Sequence, residues 1–455
     1  KARALSYAVS KRWFPQVELD VSTHITIQSK PINITDIDVF AAIPGDLGRY
    51  QYILIDCKTA KNESPIGRAL WLRGLMERTH ADRGICILRN KNIQMDHRYS
   101  AAQLGVTLLA ESEFATFGNA TSMAFDRPVG AIGEIRLWDK FFAIGERYRT
   151  LAPAVSFSRS TFWMAESDVE ACTRTLFLAR NLSVELDPVK DEHLAIVGDL
   201  AALFLNALAR IVNTIFGGYL QPENRDELSS ALLLLLYGGR SSYMVRSRIK
   251  KMVTPQDEEP SGLSLPEWSR FVQLVRQALD APYEILRSPL IVREAAWSFL
   301  ADDRSPDFLR TLATESPQAA RLAVLGVDYL CRASKLPPEF LSRITSILLE
   351  AQTPLSKNGP MGNVRADRTP IVTHAENPGV DISEASRVPR RRHSESVEHQ
   401  TYQLPAEGLV DTVDTESSES SARTKEEESL DAARTNENDG IPEWALGNAS
   451  TAEEE

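Results

Sequence analysis

Three residues stand out for the chemistry they could do together: Asp38 in TDIDVFA (35–41), and Asp56 and Lys58 in ILIDCKT (53–59). Both stretches are apolar and rich in β-branched residues, so both read as strands. Alternate residues of a strand share a face, which puts Asp36, Asp38 and Phe40 on one side of the first and Leu54, Asp56 and Lys58 on one side of the second. Pro44, Gly45, Asp46 and Gly48 between them mark a turn. The two strands then form a hairpin with Asp38 near Asp56. Neighbouring carboxylates at the end of an apolar sheet raise each other's pKa, and an unpaired buried charge costs several kcal/mol. Positive charge must offset that cost. Lys58 supplies one unit, and a divalent cation, Mg²⁺ or Mn²⁺, supplies the rest. Mg²⁺ takes oxygen ligands, commonly one or two carboxylates, with water and substrate phosphate in the other positions. The competing expectation is plainer: a strand-end Asp56–Lys58 pair worth about 0–1 kcal/mol, with Asp36 and Asp38 solvated.

The pattern TDIDVFA followed by DCK resembles the PD-(D/E)xK nucleases, the restriction-endonuclease-like superfamily, and most closely its methylation-directed and repair-type branch. The resemblance covers the N-terminal part only. It implies that Asp38 and Asp56 are metal ligands, with the main-chain carbonyl of Cys57 as a third. It implies that Lys58 orients the attacking water or stabilises charge on the phosphate. Asp36 rivals Asp38 as first ligand, because TD also approximates the family's PD; Asp38 is the closer match. The reaction implied is metal-assisted hydrolysis of DNA phosphodiesters by an endonuclease. Two departures stand beside this. The first helix, ARALSYAVSKRWF (2–14), has no acid, so the acid that many members carry there either lies upstream of Lys1 or is absent. The helix after DCK also lacks the Gln-plus-Tyr signature of exonuclease-type members. The alternative function is a catalytically inactive nuclease-fold scaffold, or a nucleic-acid-binding or interaction protein.

The elements that must position these residues follow from period and punctuation. Residues 1–12 read as a helix, 17–27, 32–43 and 50–59 as strands, and 65–80 as a helix opened by Pro65. RGICILRN (83–90) is a buried strand, and 98–114 holds a helix, a Gly stop and the short strand VTLL. The order α-β-β-β-α-β-α-β predicts a mixed sheet covered by helices. Residues 119–133 read as a linker. From 134 to 354 the period is helical, with helices expected at 161–182, 193–220, 225–239, 265–280, 291–302 and 338–352. The expected class is therefore an α/β domain (1–118), an all-α helical domain (134–354) and a disordered acidic tail (355–455).

At 455 residues, 43% hydrophobic and 25% charged, the chain has ample material for real cores. Its net charge of −11 is a property of the tail: residues 356–455 hold 10 basic and 21 acidic residues, leaving 41 of each before them. Residues 1–119 carry 15 basic and 12 acidic residues, a mild bias towards phosphate. DNA is the expected partner, and a protein partner is expected through the helical domain or the tail. Lys61, just past the motif, and Arg246 and Lys250 in SSYMVRSRIKK (241–251) are candidate phosphate contacts. Arg68, Arg73 and Arg78 are spaced by five, which scatters them around their helix towards solvent. The tail also carries a basic island, RVPRRRH (387–393), and an apolar GIPEWALGN (440–448) suited to docking. The four Cys (57, 86, 172, 331) have no metal spacing and read as small core hydrophobes in a reducing cytoplasm. No signal peptide is read. The apolar run 193–220, broken by Asp199, Asn206 and Arg210, reads as a buried helix rather than a membrane span.

Overall fold

A computed structural model describes residues 1–352, apart from 24–31, 46–47, 59–63, 90–91, 254–263 and 304. The alternating, β-branched stretches near the N-terminus form β1 (Phe14–Ser22), β2 (Asn33–Pro44), β3 (Tyr50–Lys58), β4 (Arg83–Leu88) and β5 (Val106–Ala110), side by side in chain order. β1, β2 and β3 are antiparallel neighbours, whereas β3, β4 and β5 run parallel. The change of direction has a simple cause. A tight turn at Gly48 joins β2 to β3, but parallel neighbours need a crossover. α1 (Ala2–Ser10) precedes the sheet, α2 (Pro65–Thr79) and α3 (Met95–Gln103) supply the crossovers, and α4 (Glu111–Thr121) follows β5. α2 starts where it does because the Ser64 hydroxyl accepts the Gly67 amide and Pro65 fits the first turn. It stops at His80, which is left-handed at φ 54°. At the β2–β3 turn Gly48 has φ 75°, and a Cβ there would stand 2.3 Å from Asn213 Oδ1.

The sheet is buried on both faces. Val39, Ala41, Ile53 and Ile55 join one core, and Phe40, Leu54, Cys86 and Leu108 join the other with Leu72 and Met76 of α2. The alternation breaks in the middle of β1 and β2. Val17 and Leu19 are two apart yet belong to different cores, as do Val39 and Ile37. Between them Glu18 takes φ 51°, and the paired strands change face there.

The rest of the described chain is helical, as its period predicts: α5 (Ile135–Arg147), α6 (Ala152–Ser156), α7 (Asp168–Leu182), α8 (Asp191–Tyr219), α9 (Arg225–Leu236), α10 (Arg240–Val253), α11 (Trp268–Leu279), α12 (Ser288–Trp297), α13 (Asp307–Glu315), α14 (Pro317–Ala333) and α15 (Pro338–Gln352). Boundaries differ from expectation for local reasons. The helix expected from 161 begins at Asp168, because the Ser167 side chain caps it by accepting the Glu170 amide. α9 ends before Gly238 and Gly239, both at positive φ. α8 is long and apolar enough to cross a membrane, yet its side chains are buried against α7, α12 and α14.

The sheet and the helices do not form separate units. Lys1–Ser356 is one compact unit, and the larger core runs continuously from β-strand residues such as Val39 to helical ones such as Leu200. The segment expected to link two domains, 119–133, is instead packed: Ile132 is fully buried, and the Glu294 carboxylate of α12 accepts the amides of Ala131 and Ile132. The buried pair Arg293–Asp199 does the same work deeper in. Arg293 joins α12 to α8 across 2.7 Å and also donates to the Pro15 carbonyl of β1. The expected tail lies outside the described residues.

Candidate functional site

The middle of β2 and the end of β3 place the three singled-out residues on neighbouring strands. The ladder pairs Val39 with Ile55, so Asp38 stands one step beyond it, beside Asp56 and Cys57. There the Cys57 amide donates to Asp38 Oδ2 at 2.7 Å. The side chain of Asp38 thus grips the main chain between Asp56 and Lys58. Lys58 Nζ lies 3.8 Å from Asp56 Oδ1, and Lys58 is about one-third exposed whereas Asp56 is buried. The rival first ligand, Asp36, is exposed and sits opposite Asp20 on β1, one pair further from β3.

Two cations absent from the sequence-level picture complete the locus. Arg68, in the first turns of α2, lays a guanidinium fork on Asp56: Nε donates to Oδ2 and Nη2 to Oδ1, each at 2.7 Å. Its other face covers the Trp71 ring at 3.3 Å. Arg68 was expected to face solvent; it is buried instead, because a strand residue aimed at α2 needs a partner there. Arg73 pairs with Glu77 and Arg78 donates to the Ser22 carbonyl, so those two hold the helix surface. On the other side, Lys1 Nζ lies 2.9 Å from Glu18 and 3.3 Å from Asp38. Glu18 is the acid that sequence reasoning missed. It lies on β1 rather than on the first helix and shares the Lys1 ammonium with Asp38, at the point where its own backbone is left-handed. Strained backbone of this kind persists only where its surroundings hold it. Arg159, in a π turn (Phe157–Thr161) after α6, approaches Glu18 and Asp20 from the far side.

Burial disfavours the thiolate at both cysteines here. Burial pushes the Cys57 thiol up to about 11, and burial pushes the Cys86 thiol well above its ordinary range, with the Asp56 charge adding to it. Cys172 and Cys331 are buried in the helical core, also with raised pKa values from burial.

Comparison with protein-family models, with curated proteins and with solved structures finds no match to this chain. The site must therefore be judged on its own chemistry. Its donor set is two carboxylates and a main-chain carbonyl, oxygen throughout, which suits a hard divalent cation that keeps several waters. Among the described residues no group of three or more His, Cys, Asp or Glu is placed to hold a metal ion. Each carboxylate already has a cationic partner, Asp56 in the Arg68 fork on both oxygens and Asp38 in Lys1.

The remaining expected contacts are dispersed. Lys61 lies outside the described residues. Arg246 and Lys250 sit on α10, which packs on α9, and Arg246 covers the Tyr237 ring at 5.4 Å. A cavity of about 660 Å³ lies elsewhere, lined by Arg3, Asp126, Glu134 and Asp307 among others.

Proposed function

We propose that this chain is a metal-dependent nuclease that hydrolyses DNA phosphodiesters, built on a restriction-endonuclease-like α/β core. One observation carries the reading: Asp38 on β2 accepts the Cys57 amide, which lies between Asp56 and Lys58 on β3. Asp38, Asp56 and the Cys57 carbonyl would hold the cation. When bound, such a cation polarises a phosphoryl oxygen and lowers the pKa of its water. Asp38 keeps the β3 main chain in register through the Cys57 amide. The partly exposed Lys58 ammonium faces the solvent end of the site, where it stabilises charge growing on a phosphate. A Lys suits that task as a compact charge on a flexible stem.

The test is cleavage of supercoiled plasmid with Mg²⁺ and with EDTA, by the wild type and by Lys58→Ala. Cutting that needs the metal and falls by about a hundredfold or more in Lys58→Ala supports the reading. Equal cutting by both proteins removes this site from consideration. A second reading, a non-catalytic DNA-binding or interaction module, is favoured by the Arg68 fork, since it satisfies Asp56 without any metal. DNA binding with no cutting under any metal condition would establish that alternative.

A further inference from the structure

α10 faces the wrong way for an ordinary surface helix. Such a helix turns its apolar stripe towards the core and its charges to water. α10 instead packs on α9 through Tyr243, whose ring lies 5.8 Å from that of Tyr237, and Ser247 is half-buried on the same face. Its aliphatic side chains point elsewhere: Met244, Val245, Ile249 and Met252 are each more than half exposed. At the helical period of about 3.6 residues they span an arc of about 140°, on the side away from Tyr243 and Ser247. The helix also holds five cations, Arg240, Arg246, Arg248, Lys250 and Lys251, and no acid. By the same period Arg240 and Lys251 border the apolar arc on one edge, Arg246 borders it on the other, and Arg248 lies within it. Arg240, Arg248 and Lys251 are exposed.

One kind of surface satisfies both properties. A second copy of the chain would set cation against cation across the contact. A nucleic-acid backbone would take the cations but leave four aliphatic side chains in water. A bilayer surface of anionic phospholipid accepts the aliphatic side chains at the acyl boundary, while the long Arg and Lys stems carry their charges up to the headgroup phosphates. The chain as a whole carries a net charge of −11, so the attraction to an anionic surface is a property of this helix and not of the protein's overall charge. We propose that α10 docks the protein reversibly on a membrane surface that exposes anionic phospholipid, lying in the interface with Met244, Val245, Ile249 and Met252 towards the acyl chains. α8 takes no part in this, because its apolar length is buried in the core. No residue of β2 or β3 enters the proposal, which is therefore independent of the nuclease reading.

The experiment is co-sedimentation of the full chain with vesicles of phosphatidylcholine alone and of phosphatidylcholine mixed with phosphatidylserine. The proteins are the wild type, Val245→Asn/Ile249→Asn and Arg248→Gln/Lys251→Gln. All four positions are exposed, so both variants should unfold at the wild-type temperature. The wild type should bind the mixed vesicles about tenfold or more tightly than phosphatidylcholine alone, and each variant should lose about tenfold or more on the mixed vesicles. No binding of the wild type to the mixed vesicles overturns the proposal, as does equal binding by all three proteins. A mobility shift with duplex DNA and sedimentation without vesicles separate the rival occupants. DNA binding that is lost in Arg248→Gln/Lys251→Gln and kept in Val245→Asn/Ile249→Asn, with no vesicle binding, overturns it in favour of a nucleic-acid contact. Self-association of the wild type that Val245→Asn/Ile249→Asn abolishes, again with no vesicle binding, overturns it in favour of a second copy.

Discussion

Replacing Arg293 with Met would separate the sheet from the helices energetically, and the size of the effect follows from its surroundings. Arg293 is fully buried. Its Nη2 lies 2.7 Å from Asp199 Oδ1, at angles outside those of a hydrogen bond, and Nη1 donates to the Pro15 carbonyl at 2.5 Å. The guanidinium also lies over the Phe14 ring at 4.1 Å and near the rings of Trp138 and Trp297. Met fills most of the volume but none of the charge. Asp199 is then a buried carboxylate without its counter-charge, and removing one half of such a pair costs about 3–5 kcal/mol. A domain has about 5–15 kcal/mol in total, so the loss is a large fraction. Urea unfolding followed by far-ultraviolet circular dichroism and by tryptophan fluorescence measures it. Both signals should move together to lower urea, because Pro15 is on β1 while Asp199 and Arg293 are on α8 and α12. The double variant Asp199→Asn/Arg293→Met should recover part of the loss, since no charge is then buried. A cost below about 1 kcal/mol, or two separate transitions in the wild type, would refute the single-core argument.

Other outcomes follow from single groups. Burial pushes the Glu294 carboxyl up to about 7 from 4.5, even though the Ala131 and Ile132 amides favour its charged form. Between those values the folded protein keeps a proton that the unfolded chain has lost. The stability this group contributes is therefore full below pH 4.5 and declines as pH rises to 7, by about 3 kcal/mol. Glu294→Gln should flatten that part of the urea-midpoint profile, and an unchanged slope would show that another group titrates. Asp38→Asn keeps an acceptor for the Cys57 amide but removes the charge. It should melt close to the wild type and lose metal-dependent cutting; retained cutting would exclude Asp38 as a ligand.

Much of this architecture is legible in the sequence because it rests on local pattern. The order of five strands and their helices follows from period, from Pro65 as a helix start, and from Pro44–Gly48 as a turn. The mixed sheet comes with it, since only a hairpin joins β2 to β3 and helices join β3 to β4 and β4 to β5. The burial of α8 was foreseeable from Asp199 and Asn206 within it. What escaped depends on distance along the chain. Arg68 meets Asp56 only because α2 folds back over β3, and its spacing from Arg73 and Arg78 gives no hint of that. The left-handed backbone at Glu18, where β1 changes face, carries no residue signature; a Gly there would have announced it. The fusion of sheet and helices into one core was hidden in the same way, since the Gly-rich 117–133 stretch has the composition of a linker while its Ile132 is buried.

The most direct measurement of the central claim is a crystal of the full chain soaked in Mn²⁺ and recorded at the manganese absorption edge. An anomalous peak at the Asp38 and Asp56 carboxylates is the predicted result. Arg68 still forked on Asp56 at saturating Mn²⁺, with no peak at either carboxylate, would contradict it.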